Sequence, residues 1–325
     1  MLTDDAGNPT AHLVGIFNRT VQFLEVGIKP VWVFDGKPPD LKGGELDKRR
    51  KRKEEATELM RQAQEYGNME DAKKYAQRAV NVTRDMTEDA KLLLTLLGIP
   101  IVEAAGEAEA QCAELVKSKK AYAVASEDMD SLTFGANFLL RGFNTKKEPI
   151  IQISLEDILR DLDLRMNEFV DMCILLGCDY CASISGIGPV TGLKLIKQFG
   201  SIERVIDHVT NSDKKKYSLP TTFNFEAARA LFLHPEVTPG ADITLEWKSP
   251  SEEQLRNFLI VSKGFANVRV EQGLKRIKST LGRPTQTRLE SFFKETQVIK
   301  RKPPEPPKKK AKSMKKGRGG FLFRR

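Results

Sequence analysis

The 325-residue sequence lacks the features that would place it in a membrane or outside the cell. No apolar run approaches the roughly 20 residues that a helix needs to span a bilayer. The opening residues, Met1 to Asp5, have neither the positive charge nor the apolar core of a signal peptide. We therefore expect an intracellular protein without a membrane partner.

Histidine and cysteine are also scarce, with three and four residues respectively. The histidines are scattered and support no catalytic assignment. Cys178 and Cys181 form a C-x-x-C pattern, but no second Cys or His pair completes a zinc site. We expect these cysteines to be core thiols, and nothing indicates a disulfide framework.

Positive charge is scarce outside the C-terminal tail. The chain carries a net charge of +9, yet residues 300–325 alone carry +11 and residues 1–299 carry −2. Any interaction of the body with nucleic acid must therefore depend on local clusters. The tail from residue 283 is dominated by Pro, Lys and Gly, and we expect it to be disordered because it cannot bury enough apolar surface.

Carboxylates stand at the C-terminal ends of four apolar runs. In an open α/β sheet these ends face one crevice, so acids from distant parts of the chain can converge there. Oxygen ligands without histidine suit Mg²⁺ or Mn²⁺ rather than zinc or copper. The alternative is that each acid is a surface or capping residue. The six candidate ligands are Asp35, Glu107, Glu109, Asp128, Asp130 and Asp179.

The order of apolar segments predicts an α/β fold, with a mostly parallel central sheet flanked by helices. Helical periodicity covers residues 9–26, 87–97, 106–117 and 166–176, and strands are expected at 30–34, 99–104, 121–126, 137–143 and 149–153. Ser154 and Asp157 have the spacing of a capping box that opens a further helix. A helical remainder follows at 210–280.

Residues 44–82 have high helical propensity, few large apolar residues and a break near Gly67 and Asn68. A helix that is polar on all sides is poorly buried, so this insertion is expected to project from the body. Its basic run is either a solvated surface or a guide for a phosphate backbone. The charge of +5 over residues 42–53, just after Asp35, favours the guide.

A second glycine-rich element spans Ile184 to Pro189 between two amphipathic segments. This pattern is typical of a helix-hairpin-helix, in which Gly186 and Gly188 let backbone N–H groups approach a phosphate. A plain glycine-rich connector is the alternative. A monovalent cation is an expected companion of the hairpin.

Five motifs, in this order and spacing, resemble those of the eukaryotic flap endonucleases, and the similarity covers nearly the whole chain. The motifs are Val33-Phe34-Asp35-Gly36-Lys37-Pro38-Pro39, Glu107-Ala108-Glu109-Ala110, Glu127-Asp128-Met129-Asp130, Leu176-Gly177-Cys178-Asp179-Tyr180 and Gly186-Ile187-Gly188-Pro189. The resemblance implies a nuclease that cuts DNA at the base of a displaced 5′ flap, with a weaker 5′ to 3′ exonuclease activity. Replication, through Okazaki fragment maturation, and base excision repair are the implied roles.

The resemblance also implies roles for individual residues. Two Mg²⁺ ions, replaceable by Mn²⁺, would be held by Asp35, Glu107 and Glu109 on one side and by Asp128, Asp130 and Asp179 on the other. Lys42 and Arg49 match residues that engage the scissile phosphate. The positions matching DNA contacts are Arg19, Glu107, Gly177, Asp179, Gly186 and Gly188. The projecting helices match the arch through which the flap passes.

The tail contains a further motif, Gln286-x-x-Leu289-x-x-Phe292-Phe293, which looks like the peptide that docks replication proteins on the sliding clamp, proliferating cell nuclear antigen. Residues 300–316 resemble a two-part nuclear localisation signal, with nonspecific DNA binding as the alternative. We expect a nuclear protein, in nucleoplasm and nucleolus, with the mitochondrion as a second location.

The expected organisation is an N-terminal nuclease part (1–54), an arch (55–83), an internal nuclease part with the hairpin (84–200), a helical part (201–282) and the tail (283–325). Two departures from the family pattern bear on activity. Val190 and Thr191 stand where basic residues commonly follow the hairpin. The family's chains begin about one strand and one helix before the position of Met1, so we expect the family's first strand, and the further aspartate that it supplies, to be missing here. A catalytically impaired DNA- and clamp-binding form is therefore the alternative to an active enzyme. A related 5′-exonuclease is a third option, disfavoured because the clamp peptide follows the nuclease body closely.

Overall fold

The alternation of helix and strand begins as expected, with α1 (Ala11–Glu25) leading into β1 (Trp32–Phe34). The computed structural model describes residues 10–143, 149–211 and 217–280. These residues lie in a unit that spans Met1–Arg283, and a second unit, Pro284–Arg325, lies outside the described residues. The clamp motif and the localisation signal fall in that second unit and stay predictions, as do the domain boundaries.

The remaining elements follow in chain order, with helices separating most of the strands. The first half contains α2 (Gly43–Glu65), α3 (Met69–Arg78), α4 (Arg84–Leu96), β2 (Ile101–Glu103), α5 (Ala108–Lys117), β3 (Val124–Ala125), α6 (Asp130–Thr133) and β4 (Phe138–Arg141). The second half contains β5 (Ile151–Ser154), α7 (Leu155–Leu162), α8 (Met166–Leu176), α9 (Pro189–Phe199), α10 (Ile202–Thr210), α11 (Phe225–Leu233), α12 (Glu252–Arg256) and α13 (Asn267–Lys278). A π-helix, Asn257–Ser262, continues α12.

The α/β class is confirmed, and within the described residues the strands form two small sheets in place of one central sheet. β1 pairs with β2 in parallel, with Val33 opposite Val102. β3 pairs in parallel with β4, and β4 pairs with β5 antiparallel. The strands are two to four residues long, so each sheet is narrow and the helices supply most of the packing.

Two apolar clusters hold the described unit together. The larger one joins α5, α8, α9, α10 and α11 around residues such as Phe169, Ile174 and Phe232. The second joins α1, α4, α12 and α13 around Leu13, Leu93 and Leu274. Burial of these side chains contributes the main favourable term in folding, at about 25 cal/mol per Å² of apolar surface.

Local signals explain where several helices begin. The Ser154 hydroxyl accepts a hydrogen bond from the Asp157 N–H at 3.2 Å, as the capping spacing predicts, and it opens α7. Thr83 caps α4 in the same way, accepting from Met86 N–H at 3.2 Å.

The predicted insertion is a helical hairpin made of α2 and α3, and it turns at Gly67 and Asn68 as expected. Asn68 caps α3 through its side chain, and Gly67 adopts a φ of +69°. The two helices pack on one another, and their only buried residues are alanines: Ala56, Ala63 and Ala72. The charged side chains of α2 therefore face solvent along most of its length. Across the described parts of the chain, no helix combines the length and apolarity of a membrane span.

Candidate active site

The carboxylates predicted from strand ends are brought together from four separate parts of the chain. Asp35 directly follows β1, and Glu107 stands at the N-cap of α5, after β2. Glu109 lies in the first turn of α5, where the helix dipole favours an anion. Asp128 and Asp130 lie between β3 and α6, and Asp179 lies in the turn after α8.

Close backbone contact at Gly36 explains how Asp35 reaches α5. The Gly36 N–H donates to the Gly106 carbonyl at 2.8 Å. A Cβ at position 36 would lie 1.9 Å from the Ala104 carbonyl oxygen, so only glycine fits here. The resulting approach lets Asp35 Oδ1 accept a hydrogen bond from the Ala108 N–H at the start of α5, at 2.9 Å.

Three of the acids form a compact group. Asp35, Glu107 and Glu109 each offer a carboxylate oxygen, and these three oxygens lie within 4.8 Å of one another. Asp35 is exposed, Glu109 is half-buried and Glu107 is buried. Such a set of oxygens could hold one hard cation that is still reached from solvent through Asp35.

The other three acids adjoin this group electrostatically. The Asp130 N–H donates to Asp128 Oδ1 at 2.9 Å, which makes a tight turn that starts α6. Burial, followed by the negative charges of Asp128, Asp179 and Glu109, raises the pKa of Asp130 to about 7. Burial, followed by the charges of Asp35, Asp128 and Glu107, also raises the pKa of Glu109. The six carboxylates therefore form one cluster of mutually repelling charges.

Lys42 and Arg49 are the cations that enter the cluster. Lys42 Nζ lies 2.5 Å from Glu107 Oε2 and 3.6 Å from Asp179 Oδ2. Arg49 Nη2 donates to Asp179 Oδ2 at 2.7 Å. Burial opposes the charge on Lys42, but its hydrogen bond to Glu107 and the nearby carboxylates outweigh this effect and raise its pKa. Both cations are thus held against the acids of the cluster by ion pairs.

Two supporting side chains were missed by the sequence analysis. Glu45 Oε1 lies 3.5 Å from Arg49 Nε, and its place four residues before Arg49 on α2 is a signal that helical spacing offers. The ring of Tyr180 lies beneath Lys42, with Nζ 6.0 Å from its centroid. Burial and the surrounding carboxylates raise the pKa of Tyr180 well above its usual range, so its hydroxyl stays protonated. No spacing rule points from Lys42 to Tyr180.

The predicted hairpin is formed by α8, a glycine turn and α9. Gly186 adopts a φ of +90°, and Gly188 is the N-cap of α9, with Pro189 as its first residue. Gly192 lets α9 pack against α8, because a Cβ there would lie 3.0 Å from Leu176 Cδ2. The exposed turn next to a helix N-terminus suits contact with a phosphate.

The remaining predicted DNA contacts are placed differently. Gly177, with a φ of +112°, ends α8 two residues before Asp179 and therefore lies at the cluster. Arg19 is half-buried on α1, and in the described part of the chain no hydrogen bond or ion pair links it to the six carboxylates. The roles assigned to these residues and to the six acids stay predictions.

The donor chemistry of the cluster fits a hard divalent cation. All six candidate ligands are carboxylates, and none is a thiolate or an imidazole. Two cations face six acids, so the site keeps negative charge that a bound metal would neutralise. The pKa of Asp130 is raised first by its burial and then by the charges of Asp128, Asp179 and Glu109, so the excess charge contributes to the shift.

Known proteins match most of this chain in sequence and in fold. Residues 2–56 match the model described as the XPG N-terminal domain, and residues 98–179 match the XPG I-region. Flap endonuclease 1-1 of Paramecium tetraurelia is 51% identical over 97% of this chain and 82% of that protein.

Two solved structures show the same fold. The flap endonuclease-1 of Methanococcus jannaschii matches with a TM-score of 0.65 at 32% identity, covering 86% of this chain and 84% of that one. The catalytic core of Rad2, solved in complex with a DNA substrate, matches with a TM-score of 0.67 at 26% identity, covering 82% of this chain and 85% of that one.

Proposed function

Because this chain belongs to the flap endonuclease family, we propose that it hydrolyses a phosphodiester bond at the base of a displaced 5′ flap in DNA. The observation that carries the proposal is the convergence of six carboxylates with Lys42 and Arg49. Asp35, Lys42 and Arg49 fall within the matched N-terminal region, and the other five acids fall within the matched I-region.

The six carboxylates are the groups that would hold two Mg²⁺ ions, with Mn²⁺ as a substitute. When bound, such ions supply a hydroxide-like nucleophile at neutral pH and stabilise the leaving oxygen. Asp130, whose pKa lies at about 7, can hold a proton near neutrality and releases it when its carboxylate becomes a ligand.

Lys42 and Arg49 would bind the scissile phosphate. Their ion pairs with Glu107 and Asp179 hold both cations in place before the substrate arrives. Donors that are already held in place do not have to reorganise during the reaction. They can therefore stabilise the charge that develops on the phosphate oxygens. Glu45 pairs with Arg49, and the ring of Tyr180 lies beneath Lys42, so each cation has a second neighbour that restricts it.

The basic helices and the glycine turn would position the DNA. The exposed charges of α2 suit the single-stranded flap, and the turn at Gly186 and Gly188 suits a duplex phosphate, with a monovalent cation as companion. Arg19 and Gly177 are the further proposed DNA contacts. A weaker 5′ to 3′ exonuclease activity belongs to the same proposal because both reactions use one site.

The cellular context is proposed on the resemblance of the tail. Gln286, Leu289, Phe292 and Phe293 would dock on the sliding clamp, which recruits the enzyme to replication and to base excision repair. The basic segment 300–316 would direct it to the nucleus. These residues lie outside the described part of the chain.

A cleavage assay with matched aspartate variants tests the proposed activity. We expect single-turnover cutting of a 5′-flap duplex to require Mg²⁺ and to exceed cutting of a blunt duplex. Asp128→Asn should lower the rate by about a thousandfold, since charge stabilisation by a bound metal is worth several kcal/mol. Asp163→Asn is the control, because Asp163 is exposed and has a φ of +51°, which asparagine tolerates.

Two results would contradict the proposal. Equal rates for wild type and Asp128→Asn would show that the carboxylate of Asp128 takes no part in the cleavage reaction. If the wild-type chain bound the 5′-flap duplex but did not cut it, the protein would instead be a DNA-binding protein without nuclease activity.

A further inference from the structure

Cys178 and Cys181 face one another across a tight turn. The two residues form an antiparallel bridge, and Asp179 and Tyr180 are the loop between them. Their sulfur atoms lie 3.7 Å apart and share a hydrogen bond. Both thiols are half-buried and packed against the larger core, and neither is used by the proposed chemistry.

Opposed positions on paired backbone suit a disulfide. Side chains that face one another there have neighbouring Cβ atoms, and a disulfide needs its sulfurs at about 2.05 Å. The sulfurs of Cys178 and Cys181 therefore have to approach by about 1.7 Å, which side-chain rotation and a small backbone shift can supply. For the other two cysteines, Cys112 and Cys173, the structure shows no sulfur contact of this kind among the described residues.

The turn between the cysteines carries a residue of the candidate active site. Asp179 binds Arg49 at 2.7 Å and lies 3.6 Å from Lys42. Tyr180 is buried and packs edge-on against Phe232, with ring centroids 5.1 Å apart. Because the aromatic core anchors Tyr180, a contraction of the turn falls mainly on Cys178 and Asp179.

We propose that Cys178 and Cys181 are a reversible modification site, at which a small-molecule disulfide oxidises the two thiols to an internal disulfide that slows the nuclease. The first part stands on the sulfur contact alone. The effect on rate rests on the proposed function.

The exchange balances without a further reagent. One protein sulfur attacks a disulfide RSSR, forms a mixed disulfide and releases RSH. The second protein sulfur then attacks the first, closes the Cys178–Cys181 bond and releases a second RSH. Two thiol hydrogens and two electrons pass from the protein to the reagent, and an added dithiol reverses the reaction.

The consequence for cleavage follows from geometry. Displacing a catalytic group by about 1 Å can lower a rate by about a hundredfold. Since the disulfide shifts Asp179 by a fraction of the sulfur movement, we expect the oxidised protein to cut a 5′ flap about tenfold more slowly than the reduced protein.

Thiol counting with oxidised glutathione on the full chain tests the modification. We expect four free thiols in the reduced protein, as the sequence has four cysteines, and two after oxidation with the loss of two hydrogens from the intact mass. The loss should persist in Cys173→Ser and Cys112→Ser and disappear in Cys181→Ser. Four remaining thiols, or a two-hydrogen loss that survives Cys181→Ser, would overturn the proposal.

The rate is compared within each protein, as the ratio of reduced to oxidised cleavage. Wild type should give a ratio of about ten, restored to one by dithiothreitol, and the double variant Cys178→Ser/Cys181→Ser should give one throughout. A ratio of one in wild type that carries the disulfide would reject the effect on the nuclease. Failure of the reduced wild type to cut would reject the proposed function, while the thiol count would still decide the modification.

Discussion

Two regions of this protein bury carboxylates, and they treat the charge in opposite ways. At the junction of α8, α10 and α11, Asp171 is buried and accepts from Arg229 Nε at 2.6 Å and Nη2 at 2.8 Å. Arg229 also pairs with Glu203 at 2.7 Å. In the acidic cluster, six carboxylates meet only Lys42 and Arg49 among the described residues. In the first region both acids have an ion pair, whereas among the described residues ion pairs reach only two of the six acids in the second, Glu107 and Asp179.

The difference separates a structural role from a functional one. The buried Asp171 also accepts from the Ile202 N–H at 3.2 Å, so both of its carboxylate oxygens are hydrogen-bonded. Burial still raises the pKa of Asp171, whereas the pKa of the more exposed Glu203 is lowered to about 2, mainly by its hydrogen bond to Arg229. In the acidic cluster, burial and then the charges of Asp128, Asp179 and Glu109 raise the pKa of Asp130 to about 7, against the opposing charge of Lys42.

Removing the built-in cation gives the largest expected effect on stability. Arg229→Met leaves Asp171 buried without its partner, and we expect the free energy of unfolding to fall by about 3–5 kcal/mol. Urea denaturation measures this change. Arg160→Met is the control, because Arg160 pairs with exposed acids on α7 and its loss should lower the free energy of unfolding far less than the loss of Arg229. Equal losses in the two variants would break the comparison.

The pH dependence of the metal-free protein gives the next effect. The folded-state pKa of Asp130 is raised from 3.8 to about 7, so between these values the folded chain holds a proton that the unfolded chain has released. Stability should therefore fall as pH rises from about 4 to 7, by an amount on the order of 2–4 kcal/mol. Urea titrations in the presence of a chelator measure the slope.

Two controls sharpen this pH prediction. Asp130→Asn should flatten the slope, and Mg²⁺ at pH 7 should restore stability to the wild type. Glu203 acts in a separate window, since its lowered pKa gives stability that is lost as pH falls from about 4.5 to 2. An increase of metal-free stability between pH 4 and pH 7 would show that the cluster is already neutralised.

The acidic cluster is easier to predict from the sequence than the network of Asp171 and Arg229. Acids at strand ends are a local signal, so Asp35 and Asp128 could be selected, and the turn at Gly67 and Asn68 follows from turn chemistry. Asp171 and Arg229 are 58 residues apart in the chain, and their pairing follows only from how α8 packs on α11. The backbone contact at Gly36 and the division of the strands into two sheets likewise depend on tertiary packing.

The smallest expected effect on stability comes from replacing one aspartate by asparagine in each region. The sign of the change in the free energy of unfolding should differ between the two regions. Asp171→Asn places an amide donor against the Arg229 guanidinium, so one hydrogen bond to a charged group is lost and the free energy of unfolding should fall by about 1.5–3 kcal/mol. Asp130→Asn removes a charge that its neighbours repel, so in chelator at pH 7 stability should stay the same or rise.

In cleavage assays the two variants should differ in the opposite way, with Asp130→Asn now showing the larger loss. The folded fraction of Asp171→Asn should cut a 5′ flap at the wild-type rate, because Asp171 contacts none of the six acids or their two cations. Asp130→Asn should lose activity by about a hundredfold or more, because a proposed metal ligand is removed. If Asp130→Asn destabilised the metal-free protein as strongly as Asp171→Asn, the cluster would be a structural network like that around Asp171, and its negative charge would no longer support the proposed metal site.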